Sequence, residues 1–203
     1  MKLKLFLRDR SEDMARAWSA EFAGYSDVDI SCGNIFEISA DAIISPANSF
    51  GFMDGGIDLV YSYHFGWDLQ KRLQEKIRGS FYGELSVGMA IIIETYHDKI
   101  KYLISCPTMR VPEIVSDTVN AYLAFRAGLI EIIRFNENQG AKIASLLCPG
   151  LGTKTGGIAP ENCARQMKCA YDQIICGKME FPEDLSVAIG RHYGLVGEGG
   201  VKG

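Results

Sequence analysis

Apolar positions along the chain come in short, β-branched runs separated by longer amphipathic stretches. The runs predict strands at Lys2–Leu7, Val28–Cys32, Asp41–Ser45, Val87–Thr95, Lys101–Cys106, Ile143–Cys148 and Ser186–Ile189. Several are continuous rather than alternating, such as Ala42-Ile43-Ile44 and Met89-Ala90-Ile91-Ile92-Ile93, which suits strands buried on both faces. Between them the spacing turns helical. Ser11 followed by Glu12 and Asp13 predicts an N-cap and a helix to about Phe22. A second helix runs from Ile57 to about Phe65, where Gly66 interrupts it, and Asp68 caps a third with Leu69, Leu73 and Ile77 on one face. Ser116 opens the longest helix and Gly140 closes it. Pro160 suits a first helical position, followed by the stripe Ala164, Met167, Tyr171, Ile174, Ile175.

Strands alternating with helices predict a layered α/β domain with helices on both faces of a largely parallel sheet. No repeat or linker divides the chain, so the expectation is one domain over residues 1–190. A glycine-rich C-terminal tail follows over residues 191–203, since Gly190–Gly203 holds six glycines in fourteen residues. With 203 residues the chain buries roughly 70% of its unfolded surface and needs no disulfide or metal staple.

Charge and cysteine usage narrow the function. A net charge of −4 and the lack of a basic run disfavour general nucleic-acid binding. The apolar runs are too short to cross a bilayer, and the N-terminus lacks the h-region and cleavage site of a signal peptide. The six cysteines form no Cys-x-x-Cys pair and the three histidines are scattered, so no metal site is expected. Cys32, Cys106 and Cys148 flank apolar runs and read as small core residues in a cytoplasmic protein.

Chemistry in such folds gathers beyond the C-terminal ends of the strands. Two glycine-rich loops stand there, each joining a strand to a helix: Pro46–Asp58 (loop 1) and Pro149–Pro160 (loop 2). Glycines let the main chain approach a ligand and turn several N–H groups toward one anion, and the helix start adds partial positive charge. Two such loops suit a diphosphate held between them. Neither is a Walker loop, because Lys154-Thr155 follows Thr153 rather than glycine. Neither is a Rossmann loop, because Thr155 stands where the third glycine belongs.

Gly33-Asn34-Ile35, then Asp41-Ala42-Ile43-Ile44-Ser45-Pro46-Ala47-Asn48, then Gly55-Gly56-Ile57-Asp58, and finally Gly150 through Gly157, together resemble the macro domain family, which binds ADP-ribose and related metabolites. The resemblance covers about residues 28–190 and implies a three-layer α/β/α sandwich with a mixed, largely parallel central sheet. It places Asn34, with Ile35 beside it, where the family's adenine-reading aspartate stands, and Asn48 where an asparagine holds the distal ribose. Main-chain groups of Gly55, Gly56 and Ile57 would face the diphosphate, with Gly150, Gly152, Thr153, Lys154, Thr155 and Gly156 around its other side. Asp58 stands where hydrolytic members keep an acid beside the distal ribose, so Asp58 and Asn48 are the catalytic candidates. No cofactor or metal is implied.

The departures from the family pattern are specific. Asn34 keeps an acceptor but loses the charge. Asp54 adds an acid to the diphosphate loop. No aromatic residue sits in loop 2, leaving Phe50 or Phe52 as substitutes. Ser62 stands where some hydrolytic members have a histidine, and His64 lies two residues on. Arg110 has the donors for a phosphate or an ion pair, and Tyr193 and His192 fall where members often place a ring on adenine. The resemblance implies ADP-ribose or an ADP-ribosylated molecule as the partner, with three readings open: hydrolysis from a side chain or acetyl ester, binding without turnover, or a phosphatase acting on ADP-ribose 1″-phosphate.

Overall fold

A computed structural model describes residues 2–138 and 142–197. Six strands form one sheet: β1 (Lys4–Asp9), β2 (Val28–Cys32), β3 (Ala42–Ser45), β4 (Ile91–Glu94), β5 (Tyr102–Ser105) and β6 (Ser145–Cys148). Their order is β2-β1-β6-β3-β5-β4, with every pairing parallel except that of β4 with β5. Six helices pack around it: α1 (Glu12–Glu21), α2 (Gly56–Phe65), α3 (Asp68–Ser80), α4 (Asn120–Asn138), α5 (Pro160–Ile174) and α6 (Leu185–Val196).

The continuous apolar runs serve both faces. Ala42, Ile44, Ile92, Ile104, Leu146 and Cys148 join one core, with Met14 and Trp18 of α1, Phe125 of α4 and Met167 of α5. Their neighbours Ile43, Ile91, Ile93, Leu103 and Leu147 join the other, with Tyr61 of α2 and Leu69, Leu73 and Ile77 of α3. Alternate side chains of each strand therefore meet different helix layers, which makes the three-layer α/β/α sandwich.

The structure departs from the sequence reading at several points. The expected strand Ser186–Ile189 lies inside α6, whose N-cap is Asp184; its carboxylate accepts from the Val187 N–H at 2.9 Å. That cap signal outweighs the local β-branched run. The glycines of this stretch do not stop the helix, which reaches the buried Val196; residues 198–203 of the expected tail lie outside the described residues. The longest helix starts at Asn120, not Ser116; before it the chain turns at Thr118, whose hydroxyl donates to the Val115 carbonyl at 2.7 Å and accepts from the Asn120 N–H at 3.3 Å. Gly140, expected to close that helix, lies outside the described residues. Trp67 occupies the cap of α3, and Asp68 instead pairs with Lys71 in the first turn. Cys32 is exposed on the edge strand β2, whereas Cys106 and Cys148 are core residues.

Candidate functional site

The ends of β1, β3, β5 and β6 converge on a cavity of about 480 Å³. That volume falls within the range of small-molecule sites. Every expected site residue lines it: Asn34 and Ile35, Asn48, Gly55 through Asp58, Gly150, and Gly152 through Gly156. A larger cavity of about 620 Å³ lies at the opposite strand ends, between Lys2, Lys4, Asp27, Glu137 and Lys142. It is a mixed-charge surface hollow away from both glycine loops, so size does not decide which cavity carries the chemistry.

Loop 1 is shaped from within by Asn48 and held from α3, where Gln70 Oε1 accepts from the Met53 N–H at 2.6 Å and Gln74 Nε2 donates to the Phe50 carbonyl at 3.4 Å. Asn48 Oδ1 accepts from the N–H groups of Phe50 and Phe52, at 3.1 and 3.3 Å, and its Nδ2 donates to the Phe52 carbonyl at 2.8 Å. Asparagine folds its own following backbone into a turn in this way. The second Nδ2 hydrogen has no partner among the described residues. The loop then enters α2 through Gly55 in extended backbone and Gly56 at φ +55°, a left-handed conformation that a side chain would strain. No side chain caps α2. The N–H groups of Gly55, Gly56, Ile57 and Asp58 have no partner among the described residues.

Loop 2 is held from outside. Asp9, at the end of β1, accepts from the Gly150 N–H at 3.1 Å and from the Ser11 N–H at 3.0 Å, tying the loop to the start of α1. The Leu151 N–H points to Cys163 Sγ, the Ile158 N–H donates to Gly152 O, and the Val115 N–H donates to Gly156 O at 2.8 Å. The N–H groups from Gly152 to Gly156 again have no partner among the described residues. Sequence reasoning misses Asp9; its place just before a helix with a serine cap is the only cue it offers.

Asp58 sits in the first turn of α2, buried, and accepts the Ser45 hydroxyl at 2.6 Å. Burial pushes its carboxyl up to about 7, and the Ser45 hydrogen bond holds part of that rise back. The helix start alone would have favoured the charged form; desolvation wins. Its second oxygen has no partner among the described residues, and the residue lines the cavity. Ser45 lies behind it, 0% exposed, at a position no sequence signal marks.

The remaining candidates sort cleanly. The Asn34 side-chain oxygen accepts from the Phe36 N–H at 3.2 Å, and its carbonyl accepts from Arg8 Nε at 2.8 Å. Phe52 lines the cavity, while Phe50 packs under the Arg110 guanidinium, 5.1 Å from its ring centre. Arg110 is engaged by both carboxylate oxygens of Glu84, at 2.8 and 3.1 Å, and does not line the cavity. His64 stacks on Phe36 with ring centres 3.6 Å apart, a packing role. Ser62 is buried and donates to the Met53 carbonyl at 2.7 Å. His192 and Tyr193 lie on α6, away from the cavity lining.

A family model described as "Macro domain" matches residues 44–167, more than half of the chain. The chain belongs to the macro domain family. Among curated relatives, an uncharacterised protein of Aquifex aeolicus is 33% identical over 141 residues, covering 70% of this chain and 78% of that one. Among solved structures, the macrodomain of Mycobacterium tuberculosis DarG superposes with a TM-score of 0.59 at 22% identity. That match covers 70% of this chain and 88% of that one. Thermosipho africanus DarTG in complex with ADP-ribose superposes at 0.54 and 21% identity, covering 74% of this chain and 38% of that one. At these identities the structures establish a shared fold. Within that macro domain fold, no helix among the described residues is long and apolar enough to cross a membrane.

Proposed function

We propose that this macro domain binds ADP-ribose in the 480 Å³ cavity and hydrolyses it from a modified acceptor. One observation carries the binding half: two runs of main-chain N–H groups without protein partners, Gly55–Asp58 and Gly152–Gly156, line one cavity. Such paired nests, one opening a helix, suit a diphosphate. The similar Thermosipho africanus structure holds the same ligand. Asn34 and Ile35 take the adenine side, and Asn48 takes the distal ribose through its free Nδ2 hydrogen.

Asp58 supports the hydrolytic half. A carboxyl that titrates near 7 is ionised in part at neutrality and basic enough to take a proton from water. In this reading its free oxygen accepts that proton as the water oxygen bonds to the anomeric carbon of the distal ribose. The bond to the acceptor breaks, and a carboxylate acceptor departs as its anion. The two loops hold the diphosphate still, so the anomeric carbon stays in reach. The buried Ser62 supports the second reading, binding without turnover, because it leaves no titratable group one turn beyond Asp58 on the cavity side. We assign the protein to the cytoplasm, where six free thiols persist.

Calorimetry with ADP-ribose against ATP, AMP and NAD tests the pocket: heat at millimolar ADP-ribose is expected, and its absence ends the reading. Release of ADP-ribose from a mono-ADP-ribosylated protein tests the chemistry. Replacing Asp58 by alanine should cut release by about 10²–10⁴-fold with little loss of ADP-ribose affinity. Equal release by both proteins removes Asp58 from the mechanism, and no release by wild type moves the reading to a binding module.

A further inference from the structure

Beside Asn48 the cavity mouth is edged by the segment that follows β5. Thr108 N–H donates to Ala47 O at 3.0 Å, Ser49 N–H to Arg110 O at 3.1 Å, and Met109 bridges Asn48. Further on, Val115 is fastened to Gly156. The segment thus spans loop 1 to loop 2, with Pro112 lining the cavity between them.

Its outward side is apolar without a cover: Ile114 is 72% exposed and Val111 42%, and Phe52 across the mouth is 52% exposed. The charges around them are one-sided. Asp54 and Glu113 are exposed and have no ion-pair partner among the described residues. Arg110 is neutralised by Glu84, and the exposed cations of the cavity lining that have no ion pair among the described residues, Lys154 and Arg10, belong to loop 2 and to the residue after β1. An acid in a diphosphate loop works against the ligand's own charge. Asp54 therefore needs another reason, and Glu113, exposed on the same segment outside the cavity lining, carries the same sign.

We propose that this rim binds the acceptor, and that the acceptor is a protein segment with an apolar side chain and a lysine or arginine next to its ADP-ribosylated residue. The inference rests on the reading that places the distal ribose at Asn48, since only then does the acceptor leave the cavity on this side. The acids complement a basic segment and repel a phosphodiester chain. The exposed Ile114, Val111 and Phe52 offer the apolar area such a segment would cover.

The test uses peptides carrying ADP-ribose through a non-hydrolysable oxime, so that turnover does not enter. A peptide flanked by leucine and arginine should bind about tenfold more tightly than free ADP-ribose. The same peptide flanked by serine and glutamate should show no such gain. Glu113→Lys and Ile114→Ser should each remove most of the gain while leaving the affinity for free ADP-ribose unchanged, because neither residue lines the cavity. High salt should erase the Glu113 part alone. The proposal is overturned if both peptides bind like free ADP-ribose, if the rim variants leave the gain intact, or if an ADP-ribosylated single-stranded oligonucleotide outbinds the basic peptide. Failure to bind free ADP-ribose is a separate result, and it overturns the pocket reading together with this one.

Discussion

In loop 1 a Cβ built on Gly55 or Gly56 meets no protein atom within 4 Å, whereas in loop 2 a Cβ on Gly156 would stand 2.6 Å from both Gly152 O and Val115 Cγ2. The two loops offer the same kind of donor to the cavity, but the glycines that open α2 and Gly156 of loop 2 are packed differently. Loop 1 is wired from within by Asn48 and held by Gln70 and Ser62; its Gly55 and Gly56 face open space, whereas Gly51 packs against Leu73 and Ile77. Loop 2 has no such side chain. It is clamped by Asp9, Cys163 and Val115, and at Gly150, Gly152 and Gly156 a Cβ would come within 3.0 Å of a neighbour. Glycine therefore leaves the main chain open to the cavity at Gly55 and Gly56 and fills a tight site at Gly156, and nothing in the sequence distinguishes the two uses.

Valine substitution separates them, with the largest expected effect. Both Gly55→Val and Gly156→Val should abolish measurable ADP-ribose binding. Only Gly156→Val should also destabilise the fold, by about 1–3 kcal/mol, the cost of overpacking a filled site. Gly55 has φ −141° and ψ 161°, which valine adopts readily, so its stability should stay within about 1 kcal/mol of wild type. Urea unfolding beside calorimetry reads both quantities. Equal stability of the two variants would end the distinction between the loops, and normal binding by Gly55→Val would detach loop 1 from the ligand.

Loop 1 also ends on a buried acid, which gives it a pH dependence. The Asp58 carboxyl is raised from the ordinary 3.8 to about 7 by burial. Between these values the folded chain keeps a proton that the unfolded chain has lost. Stability from this group is therefore full below about pH 4, falls as pH rises, and is lowest above pH 7. Asp58→Asn keeps an acceptor for Ser45 without the charge. It should match wild type near pH 4 and exceed it by a few kcal/mol at pH 8, because each tenfold change in proton affinity is worth about 1.4 kcal/mol. A constant difference between variant and wild type from pH 4 to pH 8 would show that the carboxyl titrates normally.

The sequence carries the sheet because each continuous apolar run has to serve two helix layers, and Ile43 and Ile44 do so on adjacent positions. It carries the outline of the cavity because both glycine-rich segments follow strands directly and so fall at one end of the sheet, where the expected residues line it. It does not show α6, where Leu185, Val187 and Ile189 resemble a strand until the Asp184 cap is seen. Nor does it show Ser45 or Asp9. Their roles depend on partners 13 and 141 residues away, and a single serine or aspartate at a strand end carries no mark of a distant bond. The protonation of Asp58 is hidden for a related reason: the helix start is local and readable, while burial belongs to the assembled fold.

The smallest expected effect concerns charge, where the loops again oppose each other. Loop 1 carries Asp54 and loop 2 carries Lys154, both exposed on the cavity lining. If the main chain does the binding, each charge adds only a screened interaction with the diphosphate. Lys154→Ala should weaken ADP-ribose severalfold at low salt and hardly at all at about 0.5 M salt, where the screening length is a few ångströms. Asp54→Asn should strengthen it by a similar factor under the same conditions. The double variant should lie close to wild type, because the two charges act on one ligand through solvent and not on each other through a shared contact. Loss of all binding in Lys154→Ala, at either salt, would make loop 2 a side-chain site and leave main-chain recognition to loop 1 alone.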